Sequence, residues 1–234
     1  MIKDKPLFSK EYSKRIVKLI HKYDNDIFHI ISNYGLYSGD TNLFKVLTIK
    51  ELVDKIKGVP GDIIEFGVWN GNTSFLIKKI LDIYKIKKKL YLFDHFKGLI
   101  HYEKAEKSLN TKYNNKLIGN KKRIIDLIKF FKFKNIHLID KDATTLDKNY
   151  FKGKKFCLII CDVDLYRPTL KILESVEKNI SKKGIILFDE GNMPNLFPGE
   201  KKALQEFYKP RKNKFTINFI RGARQPDVYL KRIR

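Results

Sequence analysis

Two short acidic runs carry the strongest chemical signal in this sequence. One reads Cys161-Asp162-Val163-Asp164-Leu165-Tyr166 and the other Phe188-Asp189-Glu190-Gly191-Asn192. Each follows an apolar stretch of strand character, so each falls at a strand end. If the two strands are neighbours in a parallel sheet, Asp162, Asp164, Asp189 and Glu190 crowd one edge of one crevice. Like charges held that closely are costly unless a cation or protonation relieves them. Hard oxygen donors of this kind suit a divalent cation such as Mg²⁺, with positions left open for water and substrate. Such an ion would bind a substrate hydroxyl, lower its pKa and hold the alkoxide in line with an electrophile. Asp162 is the leading catalytic candidate in that scheme. The other reading of the same residues has Asp162 or Asp164 capping a helix that begins near Pro168.

A second constellation reads Glu65-Phe66-Gly67-Val68-Trp69-Asn70-Gly71-Asn72-Thr73-Ser74. A dinucleotide site requires Gly-x-Gly-x-x-Gly, because its second glycine lets the backbone approach a pyrophosphate. Trp69 occupies that second position and argues against a nicotinamide or flavin dinucleotide. S-adenosylmethionine carries no phosphate and needs only a tight turn for its methionine and ribose portions to lie across. Gly67 and Gly71 can supply the turn, with Val68, Thr73 and Ser74 beside it and Glu65 facing the ligand's ammonium. A glycine-containing turn with no ligand is the alternative. The next apolar stretch ends Tyr91-Leu92-Phe93-Asp94. An acid there can accept hydrogen bonds from both ribose hydroxyls, or it can cap the following segment. His95 follows directly and is a second catalytic candidate, although a histidine in a loop is more often simply a polar residue. The stretch Asp140-Lys141-Asp142-Ala143-Thr144 closes the series, with Asp142 and Ala143 placed beside an adenine. A plain Asp/Thr turn accounts for the same residues.

These residues need elements that carry them to one edge. The first 57 residues read as helical, with Ile16, Leu19, Ile20 and Tyr23 at helical spacing and a second helix over Leu43 to Lys57 that stops at Gly58-Val59-Pro60-Gly61. Strands and helices then alternate. Strands are expected over 62–66, 90–93, 136–139, 156–160 and 185–188, the last after a turn at Lys183-Gly184. Helices are expected over 73–84, 121–131, 168–180 and 200–207. The chain closes with an alternating hairpin, 215–220 and 228–233, across a turn containing Gly222 and Pro226. Near-continuous apolar strands alternating with helices imply an α/β fold with a parallel sheet covered on both faces. Ligands of such sheets bind outside the carboxyl ends of the strands, near the topological switch point. The residues singled out above all follow strands. The organisation expected is one domain over 58–234 with residues 1–57 as a helical cap or lid.

Composition bounds the partners. The chain has 234 residues, 43% of them hydrophobic and 13% aromatic, enough for a sizeable core and against wholesale disorder. No apolar run reaches the ~18 to 20 residues a membrane span requires, and Met1-Ile2-Lys3-Asp4-Lys5 does not open a signal peptide. Cys157 and Cys161 would lie ~13 Å apart along one strand, too far for a disulfide, and read as core residues of a cytoplasmic protein. The net charge of +23 attracts anions: nucleic acid, an anionic membrane surface or a phosphorylated substrate. The basic residues are nevertheless scattered in short clusters, Lys85 to Lys89, Lys152 to Lys155 and Arg211 to Lys214, which favours a solvated surface. A nucleic-acid-directed methyltransferase or RNA-binding protein is therefore the second functional class. It lacks an appended RNA-binding module and aromatic residues within the basic clusters. A non-catalytic scaffold is the third class, and it gives no reason for uncompensated acids to be kept together.

With these motifs assembled, the chain resembles the macrocin O-methyltransferase (TylF-type) family of class I methyltransferases. The resemblance rests on GDIIEFGVWNGNTS at the glycine turn, LFDHFKGL at the second strand tip, ICDVDLYRPT at the acidic strand and LFDEGNMPNLFPGEKKALQEF after it. It runs from about Gly58 to about Tyr208 in consistent order. It implies a Rossmann-like fold with a seven-stranded, mostly parallel sheet, S-adenosylmethionine as donor, and Mg²⁺-dependent O-methyl transfer. It also implies sugars or sugar-containing metabolites as acceptors and a homodimer. Carried over by position, Glu65, Gly67 and Asp94 would hold the cofactor, and Asp162, Asp189 and Glu190 the metal. Glu190 departs from the family's commoner Asp-Asp pair, and its longer arm would shift the metal or engage a water instead. The segment from Ile100 to Asn120 matches loosely, as do the first 57 residues, and the acceptor is expected to be recognised there.

Overall fold

The computed structural model describes residues 10–23, 26–37, 40–113, 116–192, 197–221 and 225–234. Its helices are α1 (Lys10–Tyr23), α2 (Ile27–Ser32), α3 (Tyr34–Tyr37), α4 (Asp40–Ile56), α5 (Asn72–Ile83), α6 (Lys107–Tyr113), α7 (Lys121–Phe130), α8 (Tyr166–Val176) and α9 (Pro198–Tyr208). Its strands are β1 (Asp62–Phe66), β2 (Leu90–Asp94), β3 (Ile136–Asp140), β4 (Phe156–Cys161), β5 (Ile180–Phe188), β6 (Phe215–Phe219) and β7 (Val228–Arg232).

The strands form one seven-stranded sheet in the order β3-β2-β1-β4-β5-β7-β6. Strands β1 to β5 pair in parallel. Strand β7 runs antiparallel to both β5 and β6, so it alone is reversed. The order turns back between β1 and β4, which places the switch-point crevice outside their carboxyl ends. Register brings the ends level: Phe66 is opposite Phe93 and Cys161, and Cys161 is opposite Phe188. The next residues along each strand, Gly67, Asp94, Asp162 and Asp189, therefore emerge side by side.

Side chains alternate across the sheet into two cores. Ile64, Phe66, Ile159, Cys161 and Phe188 pack with Ile172, Leu173 and Val176 of α8 and Leu204 and Phe207 of α9. Ile63, Leu92, Leu158, Ile160 and Leu187 pack on the other face with Ile77 and Leu81 of α5, Ile124 of α7, and Ile49, Leu52, Val53 and Ile56 of α4. Each of those four α4 side chains is at most 2% exposed, and burying such a residue contributes about 2 kcal/mol. Helix α4 is thus a cover of the sheet, unlike α2, which buries none of its residues. Of the segment expected as a cap or lid, residues 1–9, 24–25 and 38–39 lie outside those described.

The structure corrects the sequence reading at three places. The helix expected to run to Ile180 ends at Val176, because buried Asn179 leaves the helix. Its side-chain amide donates to the carbonyl of Lys154 at 2.9 Å and to that of Phe151, and its own carbonyl accepts the Phe156 amide at 2.8 Å. That bond draws Ile180 into the sheet, so β5 begins there rather than at Ile185. The turn expected at Lys183-Gly184 is a bulge within β5: the register jumps from Phe156 opposite Ile180 to Leu158 opposite Ile185, and Lys183 has φ +66°. Helix α6 lies where the sequence pattern gives no helix. It follows a short helical turn whose Glu106 is 2% exposed and accepts the Tyr166 amide, at the start of α8, at 2.9 Å. A side chain at Gly199 would collide with that carboxylate, so Glu106 ties the segment before α6 to the starts of both α8 and α9. Gly222 of the C-terminal turn lies outside the described residues. Cys157 and Cys161 are buried and unpaired in β4, as expected. Among the described residues no helix is long and apolar enough to cross a membrane.

Candidate active site

A cleft of about 370 Å³ opens at the carboxyl ends of β1, β2, β3, β4 and β5. Glu65, Gly67, Val68, Trp69, Thr73, Asp94, His95, Asp142, Ala143, Asp162, Asp164, Asp189 and Glu190 all line it. Of the residues singled out from sequence, Gly71 and Ser74 do not. Gly71 has φ +84° and occupies the N-cap of α5, where it lets β1 turn into the helix. Ser74 is fully buried behind the wall, and its hydroxyl donates to Glu65.

The glycine turn is fixed by packing as much as by conformation. Gly67 has φ +85°, and a Cβ there would fall 1.6 Å from the Asp162 carbonyl oxygen. The exits of β1 and β4 therefore touch through a residue that must lack a side chain. Trp69 follows with φ +48° and is 44% exposed at the rim. Its amide donates to Asp94 Oδ2 at 2.9 Å, while the Phe96 amide donates to Asp94 Oδ1 at 2.7 Å. The carboxylate thus caps two loops at the wall of the cleft, and each oxygen keeps a further lone pair. Glu65 is 1% exposed, and burial pushes its carboxyl up to about 7 against the pull of Ser74 and Lys45.

Asp142 forms the Asp/Thr turn, accepting from the Thr144 amide and hydroxyl at 2.8 Å each. Its other oxygen pairs with His101 Nε2 at 2.5 Å. Burial works against its ionisation, but the Thr144 amide, His101 and the Thr144 hydroxyl hold the carboxyl below its usual range. His95 also lines the cleft, and its Nδ1 accepts the Lys97 amide at 3.0 Å. In the neutral ring Nε2 then carries the proton.

The acids after β4 and β5 share the cleft as anticipated. Helix α8 takes Leu165 as its N-cap, with no side-chain cap bond, so neither Asp162 nor Asp164 is spent on capping. Burial, then Asp189, pushes Asp162 well above the usual carboxylate range. Burial, again with Asp189, pushes Asp164 up to about 7. Glu190 is 1% exposed; burial, Asp164 and Asp189 push it up to about 9, although Gln225 donates to its Oε1. Its Oε2 is buried without a partner. Behind the cleft, both carboxyl oxygens of Glu200 are buried without a partner as well. The counter-charge comes from α4: Lys45 Nζ stands 3.5 Å from Asp189 Oδ1. Burial opposes its charge, and Asp189, Asp162 and Glu65 outweigh that effect. As the side chains stand, no three His, Cys, Asp or Glu among the described residues are gathered to hold a metal ion. The donor chemistry nonetheless fits a hard cation, since hard oxygens are in excess and Glu190 Oε2 lacks any partner.

Sequence reasoning missed Lys45, His101 and Gly119. Lys45 precedes buried Ile49, Leu52 and Ile56 at helical spacing, so a lysine on an otherwise apolar helix face was the available signal. His101 lies in the loosely matched segment and gave none. Gly119 packs against the glycine turn: a Cβ would come 2.5 Å from the Trp69 carbonyl oxygen and 2.9 Å from the Phe96 ring. Gly119→Ala is accordingly expected to destabilise the fold by about 1 to 3 kcal/mol, by thermal or urea unfolding, and to displace Trp69. An unchanged midpoint would show that the loop over Trp69 yields freely.

A family model described as Macrocin-O-methyltransferase (TylF) matches residues 39–223. The demethyldecarbamoylnovobiocin O-methyltransferase of Streptomyces niveus is 25% identical over 174 residues, covering 68% of this chain and 63% of that protein. The 8-demethyl-8-(2,3-dimethoxy-alpha-L-rhamnosyl)-tetracenomycin-C 4'-O-methyltransferase of Streptomyces olivaceus is 23% identical over 145 residues, covering 57% of this chain and 54% of that protein. The chain thus spans less than two thirds of the length of these curated relatives. The solved structure of the calicheamicin methyltransferase CalS11 is similar in fold, with a TM-score of 0.81 at 21% identity over 97% of this chain and 94% of that one. The O-methyltransferase NovP gives a TM-score of 0.70 at 20% identity over 82% and 80%.

Proposed function

The chain belongs to the macrocin O-methyltransferase (TylF) family, and from that premise we propose an S-adenosylmethionine-dependent O-methyltransferase acting on a hydroxyl of a sugar-containing small molecule. The observation that carries this reading is the sharing of one cleft by the glycine turn with Glu65 and Asp94 and by the acids after β4 and β5.

S-adenosylmethionine, when bound, supplies a methyl group on a positively charged sulfur. The chain's residues do the rest. Glu65 faces the donor's ammonium, and Asp94, aimed by the Trp69 and Phe96 amides, accepts from the ribose hydroxyls. Asp142 and Ala143 border the adenine. Asp162 takes the proton of the acceptor hydroxyl as the oxygen–methyl bond forms and the sulfur–methyl bond breaks. His95, which lines the same cleft, serves as a hydrogen-bond donor, since its Nδ1 is already an acceptor. Mg²⁺ would be held by Asp162, Asp189 and Glu190, flanked by Asp164, and would polarise the acceptor hydroxyl.

The sugar acceptor is supported by the rhamnosyl substrate named for the Streptomyces olivaceus relative and by the solved CalS11 structure named as a TDP-rhamnose 3'-O-methyltransferase. A phosphorylated or nucleotide-linked sugar belongs to the same acceptor class, and the acids lining the cleft disfavour the polyanionic backbone of a nucleic acid. A cytoplasmic homodimer completes the proposal, in keeping with the free cysteines and with exposed Ile27, Phe28 and Ile31 on α2.

The test is direct. Purified protein is incubated with S-adenosylmethionine and a panel of glycosides and nucleotide sugars, and methylated product is read by mass spectrometry. Donor is expected to raise the melting temperature, and chelator to lower turnover at least about tenfold, restored by Mg²⁺. No donor-induced shift and no methylated sugar would sink the function. Chelator-resistant turnover would leave Lys45 as the counter-cation beside these acids among the described residues.

A further inference from the structure

The cleft holds acids in excess, and α4 sends one cation among them. Lys45 Nζ stands 3.5 Å from Asp189 Oδ1, looser than the ~2.7 to 2.9 Å of a charge-assisted hydrogen bond. The ammonium is therefore drawn toward the acids without being committed to one. The other lysine lining the cleft is Lys141, which follows β3 beside Asp142 and lies over the Tyr150 ring at 4.3 Å. Among the described residues, Lys45 is the lysine or arginine that lines the cleft within electrostatic reach of Glu65.

We infer that Lys45 binds the α-carboxylate of the methyl donor, forming with Glu65 a matched pair for the zwitterionic end of its methionine. This deepens the proposed function and rests on it. An α-ammonium and an α-carboxylate sit on one carbon, so the groups that read them must stand close together with opposite charge. Glu65 at the end of β1 and Lys45 on α4 line the same cleft within electrostatic reach of one another. Without Lys45, a donor carboxylate entering beside Glu65 would face Asp162 and Asp189 with no other lysine or arginine of the described cleft lining in reach to offset them. The lysine is held for the task, because Ile49, Leu52 and Ile56 on the same helix are buried against the sheet. A donor carboxylate can draw the ammonium away from Asp189 and leave that acid free.

The experiment is calorimetric and needs no turnover. Wild-type protein, Lys45→Met and Lys45→Arg are titrated with S-adenosylhomocysteine, with its carboxamide and with 5'-methylthioadenosine, which lacks the amino-acid end. Lys45→Met is expected to weaken S-adenosylhomocysteine binding by about 10- to 100-fold and to leave methylthioadenosine within about twofold. The carboxamide should bind the wild type about as weakly as the parent ligand binds Lys45→Met, with no further loss on that variant. Lys45→Arg, which keeps the charge, should recover part of the affinity. The inference is overturned if Lys45→Met weakens both natural ligands equally, or if the carboxamide penalty persists without the lysine. Wild-type protein that binds none of the three ligands would instead overturn the proposed function, and this inference with it.

Discussion

Replacing Asp162 by asparagine is expected to lower turnover by about 10³-fold or more while donor affinity stays within a few-fold of wild type. Asparagine keeps the shape of the side chain and the backbone contacts. The Asp162 amide still donates to the Phe66 carbonyl, and the Asp162 carbonyl still packs over Gly67. What is lost is an oxygen able to take a proton and a charged donor for a cation. Stability is expected to move the other way. Burial and Asp189 make the ionised form of Asp162 costly, so at pH values where the cleft ionises a neutral isostere relieves Asp164 and Asp189 of a like charge and should raise the melting temperature. A variant that is better folded yet inactive separates catalysis from structure. His95→Gln provides the contrast and should cost no more than about tenfold. Turnover retained in Asp162→Asn but lost in His95→Gln would reverse the two roles.

Much of this arrangement is legible from the chain because strand ends in a parallel sheet are set by apolar runs. Glu65, Asp94, Asp162 and Asp189 each sit at or just after such a run, and the register of the parallel pairs brings them together. Trp69 at the second glycine position likewise reports on the backbone, since its amide is used to aim Asp94 rather than to approach a phosphate. What the chain conceals are contacts between segments distant in sequence. The hold of Glu106 on the Tyr166 amide spans 60 positions and that of His101 on Asp142 spans 41; neither leaves a periodic trace. The end of α8 escapes the sequence pattern for the same reason. The apolar pattern continues from Val176 to Ile180, and only the side-chain bonds of Asn179 to the loop before β4 decide that Ile180 joins the sheet.

The buried acids carry the remaining large prediction: without donor or divalent cation, the protein should lose stability as pH rises from 6 to 9. A group whose folded pKa lies above its unfolded value contributes stability that is full below the unfolded value and fades as pH rises through the folded one. Glu65 and Asp164 are pushed up to about 7 and Glu190 to about 9 by burial and, for the last two, by their acidic neighbours. Asp162 and Glu200 are displaced in the same direction. The unfolded chain ionises all of these near pH 4, so above that pH it binds fewer protons than the folded chain at these sites. Carboxylates held low by partners, such as Asp142 and Glu177, behave oppositely, but only in acid well below this window. The net fall between pH 6 and 9 should be on the order of 2 to 4 kcal/mol, read as a drop in melting temperature of roughly 5 to 12 °C for a chain of this length. Glu190→Gln should flatten the profile above pH 7. Mg²⁺ and S-adenosylmethionine bring positive charge to the ionised cleft, so the stabilisation each confers should grow over the same window, with protons released on binding. A melting temperature that is flat or rising from pH 6 to 9 in chelator would mean that water or Lys45 already satisfies these acids, and the demand for a cation in the cleft would vanish with it.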